Sequence, residues 1–164
     1  MGMYTGLRCK VVIKPDYREA MKQLVDNEYE WSESDVDFFK EYGDVSRATF
    51  IPRGALAYMP GEWEGPPFGK FGDGVPTDGF DRKFDPETGL WTFQCSLKNY
   101  EDTIETFMEN VLARIAEKVI HLEYYYEEWD KSIMYDIVDG KVVELKGQGR
   151  TYVDEDPEAN DYGL

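Results

Sequence analysis

Few side chains of this sequence are of the types that perform acid–base or nucleophilic chemistry. His121 is the only histidine, and Cys9 and Cys95 are the only thiols. A cysteine beside a histidine can act as a nucleophile, but the sequence has no signal for an oxyanion hole and no P-loop, GxGxxG, GxSxG, HExxH or CxxC motif. We therefore predict no catalytic residues, a histidine on the outer face of a strand, and two buried, reduced cysteines.

Carboxylates are far more numerous, and one use for them is metal binding. Asp73, Asp78, Asp81 and Asp85 lie in a glycine-rich segment, and oxygen ligands on such a loop suit Ca²⁺. Their spacing does not match an EF-hand loop, and Asp beside Gly is common in ordinary turns. We predict no bound metal and no other cofactor; a cation on these four aspartates is the alternative.

A second use for carboxylates is recognition of a basic surface. The chain carries 34 acidic and 18 basic residues, a net charge of −16, which repels nucleic acid phosphates and anionic membranes. We predict that the protein binds a basic protein partner, because carboxylates along helices can imitate the phosphates of nucleic acid. The predicted binding carboxylates are Glu33, Asp35, Asp37, Glu127 and Glu128. A merely solvated acidic surface is the alternative.

Aromatic side chains are the remaining candidates for a binding site. Residues 53–80 form a long loop with seven glycines and four prolines, yet it carries scattered aromatic residues. We expect these aromatics to pack onto the domain, because burying each one offsets part of the cost of ordering the loop. As an alternative function, Trp63, Phe68 and Phe71 would line a site for a small or peptidic ligand.

Hydrophobic periodicity places these residues on an α+β fold. The predicted elements in chain order are a strand at 6–14, a helix after Pro15, a short helix after Trp31, a strand at 48–52, the long loop, a hairpin turning at 85–89, a helix along 104–115, a strand at 119–126 and a hairpin turning at 139–140. This order fits a ferredoxin-like split βαβ core, with a mainly antiparallel sheet, helices on one face and an extra C-terminal hairpin. In that arrangement the strands of Cys9 and Cys95 are neighbours in the middle of the sheet.

Alternation also predicts which way the strand at 119–126 faces. The side chains predicted to face the core are Ile120, Leu122, Tyr124 and Tyr126. Those predicted to be partly solvated are His121, Glu123, Tyr125 and Glu127. The tyrosine triplet at 124–126 is thus predicted to be part of a sheet, with a stacking platform for a ligand as the alternative.

Residues 91–143 resemble a known family. The pieces WTFQCS, the apolar helix along 104–115, YYYEEW and VDGK are similar in layout to YubB-type ferredoxin-like domains of phage and plasmid proteins. Those domains look like a strand, an amphipathic helix, a strand ending in an aromatic residue and two glutamates, and a hairpin closed by Asp-Gly. Glycine is expected soon after the paired glutamates, where this sequence has Trp129 and Asp130. The resemblance implies a mobile-element origin and no established activity.

Length and composition indicate one domain. A chain of 164 residues with 41% hydrophobic residues can bury a core, which we place in residues 1–153 with an acidic tail at 154–164. No apolar run is long enough to span a membrane, and the N-terminus lacks a signal-peptide pattern, so we expect a cytoplasmic protein. A non-enzymatic interaction protein is favoured over a ligand-binding accessory domain, and both over an enzyme that uses carboxylates.

Overall fold

The computed structural model describes residues 3–60, 63 and 79–152. The strands are β1 (Tyr4–Ile13), β2 (Lys83–Phe84), β3 (Leu90–Lys98), β4 (Ala116–Tyr126), β5 (Ile133–Val138) and β6 (Lys141–Glu144). The helices are α1 (Arg18–Val25), α2 (Asp37–Tyr42), α3 (Phe50–Arg53) and a continuous helix α4, which runs through Thr103–Thr106, Phe107–Leu112 and Ala113–Ile115 and has π-type hydrogen bonding in its middle part. Short 3₁₀ turns lie at Pro15–Tyr17 and Trp31–Glu33. In these parts of the chain no helix combines the length and the apolar character needed to cross a membrane.

The strands form a six-stranded sheet in the order β2-β3-β1-β4-β5-β6, and every pairing is antiparallel. β1 lies between β3 and β4, so Cys9 has Phe93 on one side and Leu122 on the other. The predicted α+β class with an antiparallel sheet is confirmed, as is the prediction that the strands of Cys9 and Cys95 are neighbours.

One face of the sheet carries the main hydrophobic core. The alternate residues Leu7, Cys9, Val11 and Ile13 of β1 have no exposed surface, because this side of the sheet is covered by α1, α2 and α4. Helix α4 contributes the apolar stripe that its sequence predicts, formed by Ile104, Phe107, Met108, Val111, Leu112 and Ile115, all of them buried. The helices therefore cover the face to which β1 points these four residues.

Helix α4 is fixed at both ends by the chain around it. The side-chain oxygen of Asn99, which precedes the N-cap residue Asp102, accepts a hydrogen bond from the backbone N–H of Ile104 at 2.9 Å. The helix begins at Thr103, so Glu101 and Asp102 precede it. At the other end Ala116 already belongs to β4. The helix thus passes into the strand without a connecting loop, and the strand begins three residues earlier than predicted.

The opposite face of the sheet is covered as well. Met59, Trp63, Tyr125 and Tyr152 form a second buried cluster, built from the long loop, β4 and the C-terminal segment. Gly6 of β1 lies under it, where a Cβ atom would collide with the sulfur of Met59 and stand 2.8 Å from the ring of Trp63. The described aromatic residues of the loop, except Tyr58, therefore pack onto the domain as predicted.

Two predictions of local structure are wrong. Residues 50–53 form the helical turn α3 and not a strand, since the N–H of Gly54 donates to the carbonyl of Phe50 at 2.7 Å. The face of β4 predicted to be partly solvated is largely buried, with Glu123 at 0% and Tyr125 at 6% exposure, whereas Ile120 on the predicted core face is 50% exposed. The second cluster buries a face that alternation alone marks as outward, and a register shift between Lys10 and Val11 leaves Ile120 without a partner residue in β1.

The C-terminal hairpin is present as predicted. Asp139 and Gly140 both have positive φ, 54° and 76°, as a two-residue type I′ turn requires. β5 pairs with β4 through only Glu123–Met134 and Tyr124–Ile133, and its remaining residues pair with β6. The hairpin is thus joined to the sheet over a short length.

The buried cysteines yield the first testable prediction. Both thiols are free and fully buried, and burial raises the pKa of each above its ordinary value, for Cys9 with a further contribution from nearby Cys95. Since the thiolate is the reactive form, an aromatic disulfide reagent should not react with the folded protein and should titrate both thiols in denaturant. The variant Ser32→Cys, at an exposed position, should react at once. Rapid reaction of the unaltered protein under native conditions would contradict the burial of these strands.

Candidate protein-binding surface

The acidic segment at residues 26–44 lies almost entirely at the surface. Of its eight carboxylates all but Glu30 are exposed, and the exposed ones are Asp26, Glu28, Glu33, Asp35, Asp37, Glu41 and Asp44. The three predicted binding residues Glu33, Asp35 and Asp37 are among them. The structure therefore makes this segment accessible to a partner.

The backbone that carries these acids is anchored in the core. The indole N–H of Trp31 donates to the carbonyl of Ile51 at 2.6 Å, and its ring meets those of Phe39 and Tyr42 edge-on at 5.0 and 5.4 Å. The 3₁₀ turn that begins at Trp31 is closed by a reciprocal capping box between Glu30 and Glu33. This anchoring holds the turn and α2 in place on the domain.

Few basic groups neutralise the segment. Arg53 is bound to the carbonyl oxygens of Leu24 and Tyr29 at 2.8 and 2.7 Å and lies 3.7 Å from Glu30. Glu33 uses one oxygen to accept the backbone N–H of Glu30. Within the described residues, neither Asp35 nor Asp37 has an ion pair, so their charges face solvent.

The acids of α2 adjoin those that precede α4. The hydroxyl of Tyr42 donates to the carbonyl of Thr103 at 2.9 Å, and the hydroxyl of Thr103 donates to the carbonyl of Ser46 at 2.6 Å. These bonds bring the C-terminal end of α2 against the N-terminal end of α4. The exposed Glu101 and Asp102 thus lie directly before a helix that contacts the acidic segment.

The end of β4 adds aromatic side chains to the acids of α4. The hydroxyl of Tyr124 donates to one oxygen of Glu105 at 2.5 Å, and the amide of Asn99 donates to the other at 2.8 Å. Burial raises the pKa of Tyr124, and the Glu105 carboxylate raises it further. Because Asn99 also accepts the backbone N–H of Ile104 in α4, one set of hydrogen bonds ties the helix to the strand.

The two paired glutamates after β4 have different roles in the structure. Glu127 accepts the backbone N–H of Tyr4 at 2.5 Å, and its own N–H donates to the carbonyl of Tyr4 at 3.0 Å. Glu128 is exposed and makes no such bond in the part of the chain that the structure describes. Of this pair, only Glu128 presents its carboxylate fully to solvent.

The predicted aromatic site is accounted for only in part. Trp63 is fully buried in the second cluster, with ring centroids 6.2 Å from Tyr125 and 6.3 Å from Tyr152. Phe68 and Phe71 lie outside the described residues, as do Asp73, Asp78 and the acidic tail at 154–164. The exposed aromatic residue of the described loop is Tyr58, whose ring is tilted by 41° against that of Tyr4 with the centroids 5.0 Å apart.

Sequence reasoning missed a charged cluster beneath the second face of the sheet. Arg8 of β1 is 1% exposed and Glu123 of β4 is 0% exposed, and the two are directly opposite in the strand register. The guanidinium of Arg8 donates to Gln94 at 2.9 Å and lies over the rings of Trp63 and Phe80. Charged residues at matching positions of two adjacent central strands were the signal available in the sequence.

Three side chains bind the carboxylate of Glu123. His121 lies 2.8 Å from one oxygen, and the hydroxyls of Ser132 and Tyr152 donate to the other at 2.7 and 2.5 Å. Burial acts to raise the pKa of Glu123, but the bonds from His121, Ser132 and Tyr152 outweigh it, so the pKa is lowered overall. The carboxylate is therefore ionised at neutral pH.

The hydrogen bonds of this cluster stabilise the negative charge of Glu123 and do not activate Ser132 as a nucleophile. The hydroxyl of Ser132 donates to the carboxylate and accepts the backbone N–H of Arg150 at 3.0 Å, so it is not bound to His121 as a catalytic serine would be. Ser132 and Tyr152 are also nearly inaccessible, at 4% and 5% exposure. The chemical role that fits is attachment of the C-terminal segment to β4.

A metal site is not formed by the described residues. No group of three or more histidine, cysteine, aspartate or glutamate side chains there is placed to hold an ion. Of the four aspartates considered for a cation, Asp85 accepts the backbone N–H of Glu87 at 2.9 Å, an ordinary turn contact. The backbone N–H of Glu87 is the leading cause of a lowered pKa at Asp85.

A comparison of the chain with protein-family models, with curated proteins and with solved structures finds no significant match.

The buried carboxylate yields a pH-dependent prediction. Glu123→Gln removes the charge while leaving three donors in place, so we expect a loss of about 1–3 kcal/mol in the free energy of unfolding at pH 7. Because the folded pKa lies below the ordinary value of 4.5, the stabilisation by Glu123 is fully present above that value. It is lost as the pH falls through the folded pKa.

Urea unfolding of both proteins between pH 7 and pH 3 measures this difference. The difference in the free energy of unfolding between the unaltered protein and Glu123→Gln should be constant down to about pH 5 and become smaller below it. The exposed Glu128→Gln serves as the control and should change stability by less than about 0.5 kcal/mol at neutral pH. A gap that stays constant to pH 3 would show that Glu123 does not stabilise the fold through its charge.

Proposed function

We propose that this protein is a non-enzymatic interaction protein that binds a basic protein partner through an acidic face. The face comprises the exposed carboxylates of residues 26–44 and the exposed acids at Glu101, Asp102 and Glu109 of the adjoining α4 region. The observation that carries the proposal is the exposure of Asp35 and Asp37, without an ion pair in the described chain, next to a turn that is anchored in the core through Trp31. Fixed charges of one sign attract a complementary surface over a distance.

The choice of a basic protein over other partners follows from charge. At −16 the chain repels nucleic acids and anionic lipids, whereas it attracts lysine- and arginine-rich surfaces. Carboxylates on a rigid frame can occupy a groove that normally binds phosphates. We therefore infer that the partner is a protein with a basic groove. Binding inhibits the partner, because it excludes the phosphate-bearing ligand that the groove otherwise holds.

The fold and origin belong to the same proposal. We infer a ferredoxin-like core from β1 to β4 with α1 and α4, supported by the strand order β2-β3-β1-β4 and its antiparallel pairing. The similarity of residues 91–143 to YubB-type domains adds a phage or mobile-element origin. Proteins that block host nucleases are one class in which such an acidic face is useful.

The test is a neutralisation of the acidic face. The partner is first captured from a bacterial lysate at low salt and eluted at high salt, and its binding is then measured with purified components. The triple variant Glu33→Gln, Asp35→Asn, Asp37→Asn should slow association about three- to tenfold at low salt and change dissociation less, because exposed charges act mainly on the encounter. The difference should shrink as salt rises, since exposed charges are screened within about 10 Å at 0.1 M salt.

A matched control separates position from total charge. Asp16, Glu87 and Asp139 are exposed acids elsewhere on the molecule, and Asp16→Asn, Glu87→Gln, Asp139→Asn removes the same three charges. This control should keep most of the association rate. A partner whose affinity ignores both salt and the first triple variant would refute the proposed function.

A further inference from the structure

Exposed aromatic rings lie beside the acids at the end of β4. Tyr100 is 59% and Trp129 is 38% exposed, and Tyr126 is half-buried. The rings of Tyr126 and Trp129 are 5.8 Å apart at an interplanar angle of 64°, and Trp129 is also 5.9 Å from Tyr124. The main core contains none of Tyr100, Tyr126 or Trp129, so these three rings are not required to fill it.

The geometry of this aromatic group is fixed by the backbone. The N–H of Trp129 donates to the carbonyl of Tyr126 at 2.8 Å, and the hydroxyl of Tyr125 donates to the carbonyl of Trp129. Tyr125 itself is buried in the second cluster. These hydrogen bonds hold the backbone of Trp129 at both of its polar groups, and the rings of Tyr124 and Tyr126 contact its indole.

Two glutamates, Glu127 and Glu128, lie between Tyr126 and Trp129 in the chain. Partial desolvation raises the pKa of Tyr126, and the negative charges of Glu128 and Glu127, with a contribution from Tyr100, raise it further. The charges are thus close enough to act on the phenol. A ring face beside carboxylates favours a cation, which gains from the ring quadrupole and from the opposite charges together.

The neighbouring ring already binds a cation of the chain. The guanidinium of Arg47 lies over Tyr100 with its carbon 5.1 Å from the ring centroid. Within the described residues, Tyr126 and Trp129 have no such occupant. Their surroundings therefore complement a positive group supplied from outside.

We propose that Tyr126 and Trp129, with the carboxylate of Glu128, form a subsite for an arginine side chain of an arginine-rich segment of the basic partner. This inference rests on the proposed function and names the contact by which the partner is recognised. A guanidinium is planar and weakly hydrated and stacks on aromatic rings, whereas an ammonium is a compact, strongly hydrated charge. The subsite therefore prefers arginine to lysine.

Indole resonances give a direct test, because the chain has four tryptophans. Trp31, Trp63 and Trp91 are buried at 2%, 0% and 0% exposure, and only Trp129 is exposed among the four. The probes are three short Gly/Ser peptides of equal length that carry four arginines, four lysines or four citrullines. The arginine peptide should shift the ¹H–¹⁵N indole signal of Trp129 and leave the other three in place.

The affinities of the three peptides for the protein complete the test. In 0.15 M salt the arginine peptide should bind more tightly than the lysine peptide, and the uncharged citrulline peptide should not bind. Trp129→Ala should weaken arginine-peptide binding about three- to thirtyfold and abolish the preference over lysine. Phe50→Ala, which removes another exposed ring, in α3, should have no effect.

A substitution at an exposed position tests the subsite without disturbing the fold. Glu128→Gln changes one exposed group and should weaken the arginine peptide, while Glu87→Gln at the β2–β3 turn should not. An unmoved Trp129 signal, equal binding of the arginine and citrulline peptides, or an affinity unchanged by Trp129→Ala would each overturn the subsite. If, in that case, the triple variant Glu33→Gln, Asp35→Asn, Asp37→Asn still slows association of the partner, the proposed function stands and only the subsite is refuted.

Discussion

The structure depends on a central strand that is buried on both faces. β1 contributes Leu7, Cys9, Val11 and Ile13 to the main core, while Gly6 and Arg8 lie under the second cluster. Burying large apolar side chains stabilises the fold by roughly 1.5–3 kcal/mol each, but a buried guanidinium is costly unless it is bound. The second face is therefore polar at its centre, where Arg8 contacts Gln94 and Glu123 is held by three neighbours. The long loop and the C-terminal segment are thereby fastened to the same sheet.

This double burial determines where the remaining charge can lie. With both faces of the central strands covered, the unpaired carboxylates of the described residues lie in the turns, on the outer sides of the helices, at the strand ends and on the outer hairpin. The acidic segment at 26–44 and the residues around Glu128 are such places. Their mutual repulsion destabilises the compact state, and few described cations reduce it locally. A fold that tolerates this repulsion needs the strong anchoring that Trp31 and Tyr42 provide below the acids.

The extent to which the sequence predicts this structure differs between the two faces of the sheet. The apolar stripe of α4 and the alternation in β1 could be predicted, because each is a local pattern that one core explains. The burial of Glu123 could not, because residues 59, 63 and 152 that cover it are distant in sequence. That the acids of the candidate surface are exposed could be predicted from composition alone. The contact between α2 and α4 could not be predicted, because it depends on hydrogen bonds of Tyr42 and Thr103, and no sequence pattern relates these two residues. At residues 50–53 a β-prone pattern is overridden by the tertiary bond from Trp31 to Ile51.

Rigidity is what makes an acidic surface selective. Mobile carboxylates attract any cation, and their side-chain entropy is lost when a partner binds. Here the turn before α2 is closed by its capping box, Glu105 is held by Tyr124 and Asn99, and Trp129 is fixed through Tyr126. Long-range attraction and short-range fit can then be divided between two parts of the surface. Under the proposed function, the acids of α2 serve to accelerate the encounter with a basic surface, and the rings at the end of β4 serve to distinguish a planar guanidinium from other cations once the surfaces meet.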